Sequence, residues 1–221
     1  MAADLVLYSY WRSSASYRVR IALNLKGLHY RTQAVHLVRD GGEQHGAAYA
    51  ALNPQQLVPT LVDGERVLTQ SMAIVEYLDE THPQPPLLPS DAPGRARVRE
   101  LAQIVGCDIH PLGNLRVLQW LGNPFEAGDE QKGNWMRHWM AIGFQALEAM
   151  LASSPHTGHY CHGDTPSLAD ICLVPQVYNA RRWKLPLGDY PTLLRIDAMC
   201  AAHAAFHAAA PEQQPDAQKA A

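Results

Sequence analysis

Leu5-Val6-Leu7-Tyr8, then Ser13-Ser14-Ala15-Ser16, then Tyr17-Arg18-Val19-Arg20-Ile21-Ala22-Leu23-Asn24-Leu25-Lys26-Gly27: this opening stretch decides the fold. A four-residue apolar run has the length of a strand. The serines that follow suit a helix start, because their hydroxyls satisfy first-turn N–H groups. Apolar Val19, Ile21, Ala22, Leu23 and Leu25 alternate with Arg18, Arg20, Asn24 and Lys26, and Gly27 closes the helix. A strand feeding a helix through a serine turn begins an α/β unit. The chain continues in kind, with a second strand over Tyr30–Leu37 and a glycine-rich turn with a short helix between Asp40 and Ala48. Leu57–Val62 reads as a third strand interrupted by Pro59. Asp63-Gly64 then turns into Val67-Leu68-Thr69, and Ser71–His82 reads as a helix. The order β-α-β-α-β-β-α demands a mixed sheet with helices on its faces.

Pro83-Gln84-Pro85-Pro86-Leu87-Leu88-Pro89 ends that pattern, since four prolines in seven residues cannot continue a helix. Beyond it the spacing is helical: Asp91 to Leu121 with a bend near His110-Pro111, Gln131 to Ala152, Leu168 onward through Pro175 to Trp183, and Thr192 to Ala209. Ser167 with Asp170 three residues on forms a capping box with Asp in place of Glu. The expected organisation is an α/β domain over 1–82, a linker over 83–90, an all-helical domain over 91–210 and a disordered tail over 211–221.

The 221 residues are 47% hydrophobic and 18% charged, with a net charge of -3, so no basic footprint for nucleic acid is present. Apolar runs fall short of the roughly 20 residues a membrane span needs. The start lacks a secretory pattern, so a cytoplasmic location and no membrane partner are expected. Cys107, Cys161, Cys172 and Cys200 form no Cys-x-x-Cys pair. His156, His159 and His162 flank Cys161, but Pro155, Gly158 and Gly163 make that segment a loop, and no metal is expected.

Three motifs carry chemistry. The serines before the first helix cap it; the same helix start presents free N–H groups to an anion and suits a thiolate. No His/Asp pair accompanies them to build a serine triad. Pro59 cannot donate to a ladder, so Leu57-Val58-Pro59-Thr60 is either a plain strand start or a special turn, cis included, that frees the backbone of Val58. Thr69-Gln70-Ser71 places polar groups where a hairpin feeds a helix, a second start able to take a carboxylate.

Taken together, the strand, the Ser-Ser turn, the Val-Pro hairpin and the Gln-Ser helix start, followed by a helical half, resemble a glutathione transferase. Ser13-Ser14-Ala15-Ser16-Tyr17-Arg18-Val19-Arg20-Ile21-Ala22-Leu23 resembles the zeta-class signature Ser-Ser-Cys-x-Trp-Arg-Val-Arg-Ile-Ala-Leu. Asp40-Gly41-Gly42-Glu43-Gln44, Ala51-Leu52-Asn53-Pro54 and Val174-Pro175-Gln176-Val177 are also similar to that class. The resemblance spans residues 4 to 210. It implies a thioredoxin-like N-terminal domain, a helical C-terminal domain, a homodimer and glutathione as cofactor.

The resemblance also implies roles. Ser13, with Ser14 beside it, would stabilise the glutathione thiolate, and the stretch Ala15, Ser16, Tyr17 and Arg18 would line the cofactor. Gln44 and the Val58 backbone would meet the middle and cysteinyl parts, and Gln70 with Ser71 the γ-glutamyl end. His110, Asn114, Leu115 and Arg116 would line the glutathione site. Arg182 would pair with a substrate carboxylate, with Arg12 and Arg18 as further attractors of anions; Arg12 reads equally as a solvated surface charge. The catalytic set is Ser13, Ser14 and Arg182.

Zeta-class proteins convert maleylacetoacetate to fumarylacetoacetate by thiolate addition, bond rotation and elimination, and the resemblance implies that reaction on a small dicarboxylate. Close relatives act on maleylpyruvate; conjugation of haloacids and a glutathione-binding module without activity are the other readings. One departure matters: Ala15 stands where the signature has cysteine, and Tyr17 where it has tryptophan. No protein thiol at that turn can react, so any nucleophilic sulfur there must come from the cofactor.

Overall fold

The structure, a computed structural model, describes residues 5–217. Ser13 has extended backbone, and its Oγ accepts the Ser16 N–H at 3.2 Å, which starts α1 (Ser14–Leu25) directly after β1 (Leu5–Ser9). At the other end Gly27 takes φ +64°, where an L side chain would be strained, and the Leu28 N–H reaches back to the Leu23 carbonyl at 3.0 Å.

The remaining elements of the first unit are β2 (Tyr30–Ala34), α2 (Ala47–Leu52), β3 (Thr60–Asp63), β4 (Arg66–Thr69) and α3 (Ser71–Thr81). The four strands form one sheet in the order β2-β1-β3-β4, with β1 parallel to β2 and antiparallel to β3, and β3 antiparallel to β4. This is the expected mixed, thioredoxin-like arrangement. Leu7, Val19, Ile21, Leu61, Ile74 and Leu78 fill its core.

Three details differ from the sequence reading. The second strand stops at Ala34 instead of Leu37. The His36 ring there accepts the Arg39 N–H at 2.8 Å while the His36 N–H donates to Glu43 at 2.7 Å, and these local bonds pull the chain off the sheet. The third strand starts at Thr60, after a cis Val58–Pro59 bond. Two short 3-10 turns, Arg39–Gly41 and Glu43–His45, precede α2.

The second unit covers 87–201 and is helical: α4 (Ala92–Gln103), α5 (Leu115–Gly122), α6 (Asp129–Ala152), α7 (Leu168–Arg182) and α8 (Pro191–Ala201). The helical stretch expected from Asp91 to Leu121, with a bend near His110-Pro111, is interrupted more fully than a bend. A π-helical turn, Ile104–Ile109, and a 3-10 turn, His110–Gly113, separate α4 from α5: Pro111 has no N–H to continue the helical bonding there, and Asn114 caps a new start. A Cβ at Gly143 would collide with Ile109, so glycine lets α6 approach that turn. The predicted capping box is present. Asp170 takes the Ser167 N–H and hydroxyl at 2.8 and 2.7 Å, and its other oxygen takes the Cys161 N–H at 2.8 Å. Burial raises the Asp170 carboxyl above its ordinary value, while these donors favour the charged form.

The helix expected over Thr192–Ala209 is two helices. His203 caps α9 (Ala204–Ala209), its ring accepting the Ala205 N–H at 3.2 Å, and residues from 202 onward group with the first unit. Arg20 in α1 donates to the Ala209 carbonyl at 2.9 Å and Asn24 to the Ala205 carbonyl at 3.0 Å. The expected disordered tail is therefore corrected for its described part. Pro211–Gln213 forms a 3-10 turn, buried Gln214 donates to the Ala208 and Ala210 carbonyls, and Asp216 accepts the Trp11 N–H at 2.9 Å. Residues 218–221 lie outside the described residues.

Candidate functional site

In the first unit the two sequence-predicted helix starts are joined. Arg18, one turn into α1 and 2% exposed, donates from Nη1 to the Oγ of Ser71, the first residue of α3, at 3.3 Å. Ser13, Ser14 and Ala15 stay half-exposed at the tip of α1. Ser13 spends an acceptor on the Ser16 amide, so its O–H is left as a donor, beside first-turn N–H groups that have no helical partner. A thiolate meeting that tip gains a hydroxyl donor and the positive end of a helix dipole.

Gln70 precedes α3 with φ +67°, a left-handed conformation that costs a non-glycine residue roughly 1–3 kcal/mol. Its amide is steadied by the Gln55 side chain at 2.6 Å. Ser71 itself is 6% exposed. Val58 is held from behind: Tyr49 and Asn53 both donate to the Leu57 carbonyl, at 2.6 and 2.7 Å, and both reach Thr60. Buried Gln44 donates to the Leu37 carbonyl at 3.3 Å, while its Oε1 is buried without a partner among the described residues. A buried acceptor in that condition costs about 1–3 kcal/mol unless a ligand or water donates to it.

The side chains of Ser16, Tyr17 and Arg18 point to the interior rather than to solvent, so of the predicted lining stretch Ser13, Ser14 and Ala15 are the accessible part. Arg12 is half-exposed, stacked over the Trp11 ring at 5.2 Å.

The remaining predicted residues lie in the second unit. His110 lines a pocket with Ile109, Trp135, Trp139, Gln176 and Asn179. Asn114 caps α5, its Oδ1 accepting the Arg116 N–H at 3.2 Å; Leu115 is half-buried and Arg116 exposed. Arg182 is exposed near the end of α7, over the Trp183 ring and 3.5 Å from the Asn179 Oδ1. Thus Asn179 connects the pocket that His110 lines to Arg182. Gln176, Asn179 and Trp139 are pocket residues that no sequence motif had marked with a role. Gln176 and Asn179 share a helix face with spacing i, i+3, which was the available signal.

The histidine-rich loop packs two of its rings against each other. His156 and His162 stack 5.8 Å apart, and the Arg97 guanidinium stands 3.2 Å from His162. No group of three or more potential metal ligands occurs among the described residues. Burial pushes the Cys161 and Cys200 thiols well up, so neither supplies a thiolate at neutral pH.

Comparison with known proteins places these features in a family. The glutathione S-transferase N-terminal domain model matches residues 7–86, and the C-terminal domain model matches 134–208. A protein of Vibrio cholerae called a probable maleylacetoacetate isomerase is 56% identical over 97% of this chain and 99% of its own length. The holo structure of a bacterial maleylpyruvate isomerase, described as a zeta-class glutathione S-transferase, matches with TM-score 0.94 at 52% identity over 96% of this chain and all of its own. A maleylacetoacetate isomerase of Methylobacterium extorquens, solved with malonate and glutathione, matches with TM-score 0.93 at 41% identity, over 97% of this chain and all of its own. The chain belongs to the glutathione S-transferase family, in its zeta class.

Proposed function

We propose that this chain is a glutathione-dependent isomerase that converts maleylacetoacetate to fumarylacetoacetate in aromatic amino acid catabolism. The observation that carries the reading is the Arg18–Ser71 hydrogen bond, which yokes two electropositive helix starts, each bearing a serine, into one anion-receptive face. Glutathione fits it as a polyanion with a thiol. Ser13 offers an unused O–H, Gln44 an unused buried acceptor, and Val58 a backbone held from behind.

When bound, glutathione supplies a thiol that adds to the cis double bond of the substrate and leaves again after rotation, returned unchanged. Everything else falls to the chain. Ser13 and the first-turn N–H groups of α1, with Ser14 alongside, keep the sulfur ionised by donating to it. Ser71 and Gln70 receive the γ-glutamyl end, where Ser71 is fixed by Arg18. Gln44 and the Val58 backbone take the cysteinyl and middle portion. His110, Asn114, Leu115 and Arg116, in the helical unit, are further candidates for glutathione contacts, as the class resemblance implies. Arg182, and secondarily Arg12, draw the substrate carboxylates and spread developing negative charge. With Ala15 at the serine turn, no protein sulfur competes with the cofactor.

The same reading includes a homodimer, as the class resemblance implies, and a cytoplasmic location. Four free cysteines, three of them buried, suit a reducing compartment, and no helix among the described residues is long and apolar enough to cross a membrane. The test is loss of absorbance of the cis substrate, measured on maleylacetoacetate and maleylpyruvate with and without glutathione. Glutathione-dependent turnover that is faster on maleylacetoacetate is the expected result. Faster turnover of maleylpyruvate would reassign the substrate. No turnover of either, with conjugation of a haloacid instead, would make the chain a transferase, and binding alone would make it a module.

A further inference from the structure

The turn that carries Ser13 is held by groups far along the chain. Ser13 donates its N–H to the Tyr10 carbonyl at 3.0 Å, closing a turn over Tyr10, Trp11 and Arg12. Both backbone groups of Trp11, inside that turn, are claimed from outside it. Its carbonyl accepts from Arg20 Nη2 at 2.9 Å, and its N–H donates to the Asp216 carboxylate at 2.9 Å. Arg20 is fully buried in α1, and also reaches the Ser9 hydroxyl at 3.1 Å, the Tyr10 carbonyl at 3.5 Å and the Ala209 carbonyl at 2.9 Å. One guanidinium therefore ties the end of β1, the serine turn and the last turn of α9 together.

The tail adds a second, apolar anchor. Ala217 packs on the cluster of Tyr10, Trp11, Val35, Tyr49 and Val58, which contains both the serine turn and the residue preceding the cis proline. Gln214 fastens the strap to α9 through the Ala208 and Ala210 carbonyls. The second oxygen of Asp216, Oδ1, is buried without a partner, so the Trp11 N–H takes the one hydrogen bond this carboxylate makes among the described residues.

We propose that residues 211–217 are a strap that positions the serine turn, with Asp216 and Arg20 as positioning residues acting on Ser13 through Trp11. Oriented donors stabilise charge only if they are held in place before it develops, so a loosened turn lowers the ionisation of a thiol placed there without touching it. This rests on the functional reading above, in which Ser13 donates to the glutathione sulfur. Neither Asp216 nor Arg20 contacts the sulfur in this account.

The test uses the full chain and two variants, Asp216→Ala and Asp216→Asn. The asparagine keeps an acceptor for the Trp11 N–H; the alanine does not. Two readouts are taken: amide hydrogen exchange of 10–16 in the free protein, and the pH titration of the bound glutathione thiol, followed by thiolate absorbance. The alanine variant should exchange faster over 10–16, raise the thiol pKa and lose about tenfold in kcat/KM, the loss expected for a hydrogen bond to a charged group. The asparagine variant should recover most of each effect. Unchanged exchange in the alanine variant overturns the strap. Faster exchange with an unchanged thiol titration and unchanged turnover makes the tail merely structural and overturns the positioning role. A wild-type protein that leaves the thiol at its solution pKa counts against the functional reading instead, and the exchange readout then decides the bracing by itself.

Discussion

Arg18 and Ser71, fifty-three positions apart, meet in a buried hydrogen bond of 3.3 Å, so the start of α3 is fixed by a side chain of α1. Arg18 is 2% exposed and cannot serve as a surface attractor of anions. Its part is to hold Ser71. Arg18→Met keeps much of the packing volume and removes the donor. Glutathione affinity should fall about tenfold, the weight of one hydrogen bond from a charged donor, as measured by calorimetry. Unchanged affinity would detach Ser71 from Arg18.

Ser13 caps α1, and in the proposed mechanism it also donates to the sulfur, two duties that substitutions separate. Ser13→Ala removes the helix cap, which costs about 1 kcal/mol, and removes the donor to the sulfur, which should cost roughly 10²-fold in kcat. Ser13→Thr keeps the hydroxyl and should retain most of both. Melting curves and steady-state rates on the two variants check the division; an alanine variant with wild-type kcat removes Ser13 from the mechanism.

The loop before α7 makes stability pH-dependent. Burial holds the His162 imidazole below the ordinary histidine value, reinforced by the Arg97 guanidinium and by His156, with Asp91 and Asp170 opposing. The folded state thus binds this proton less readily than the unfolded one. Stability is complete above an unfolded value of about 6.5 and declines as the pH falls from there through the lowered folded value. Thermal melts from neutral to mildly acidic pH should show the decline, and His162→Gln should flatten it. A slope identical in the variant would place the titrating group elsewhere.

Gln176 is 1% exposed, and neither its Nε2 nor its Oε1 has a partner among the described residues. A buried amide in that state costs more than it returns. Gln176→Leu should stabilise the protein by about 1 kcal/mol, a rise of about 2–4 °C in Tm for a chain of this size. A comparable fall would mean that the amide is satisfied by water or a ligand in the pocket lined by His110 and Trp139.

What the sequence made legible was what local rules govern. The Ser13 cap, the Gly27 stop and the Ser167–Asp170 capping box each depend on residues within a few positions, and each stands where the pattern placed it; the hairpin turn falls one residue later than Asp63-Gly64, at Gly64-Glu65, because Asp63 still pairs with Arg66. Two of the features it missed, the tail and Arg20, depend on distant partners. Pro211 to Asp216 looks featureless because its stabilising contacts are Trp11, from the other end of the chain, and α9. Arg20 reads as a polar position on an amphipathic helix, yet four acceptors around it, in β1, the serine turn and α9, make it interior. The candidate site was legible at Ser13, Gln70 and Ser71 for the same local reason, since helix starts have recognisable residues. The inward orientation of Ser16, Tyr17 and Arg18 was not, because helix periodicity alone does not say which face meets the sheet.

In the proposed reaction glutathione returns as a cofactor and is not consumed as a substrate. The direct measurement is the amount of free glutathione after many turnovers of maleylacetoacetate, taken alongside the fumarylacetoacetate formed. Stoichiometric trans product with glutathione undiminished is the expected result. Glutathione lost in proportion to substrate, with a stable conjugate accumulating, would contradict it.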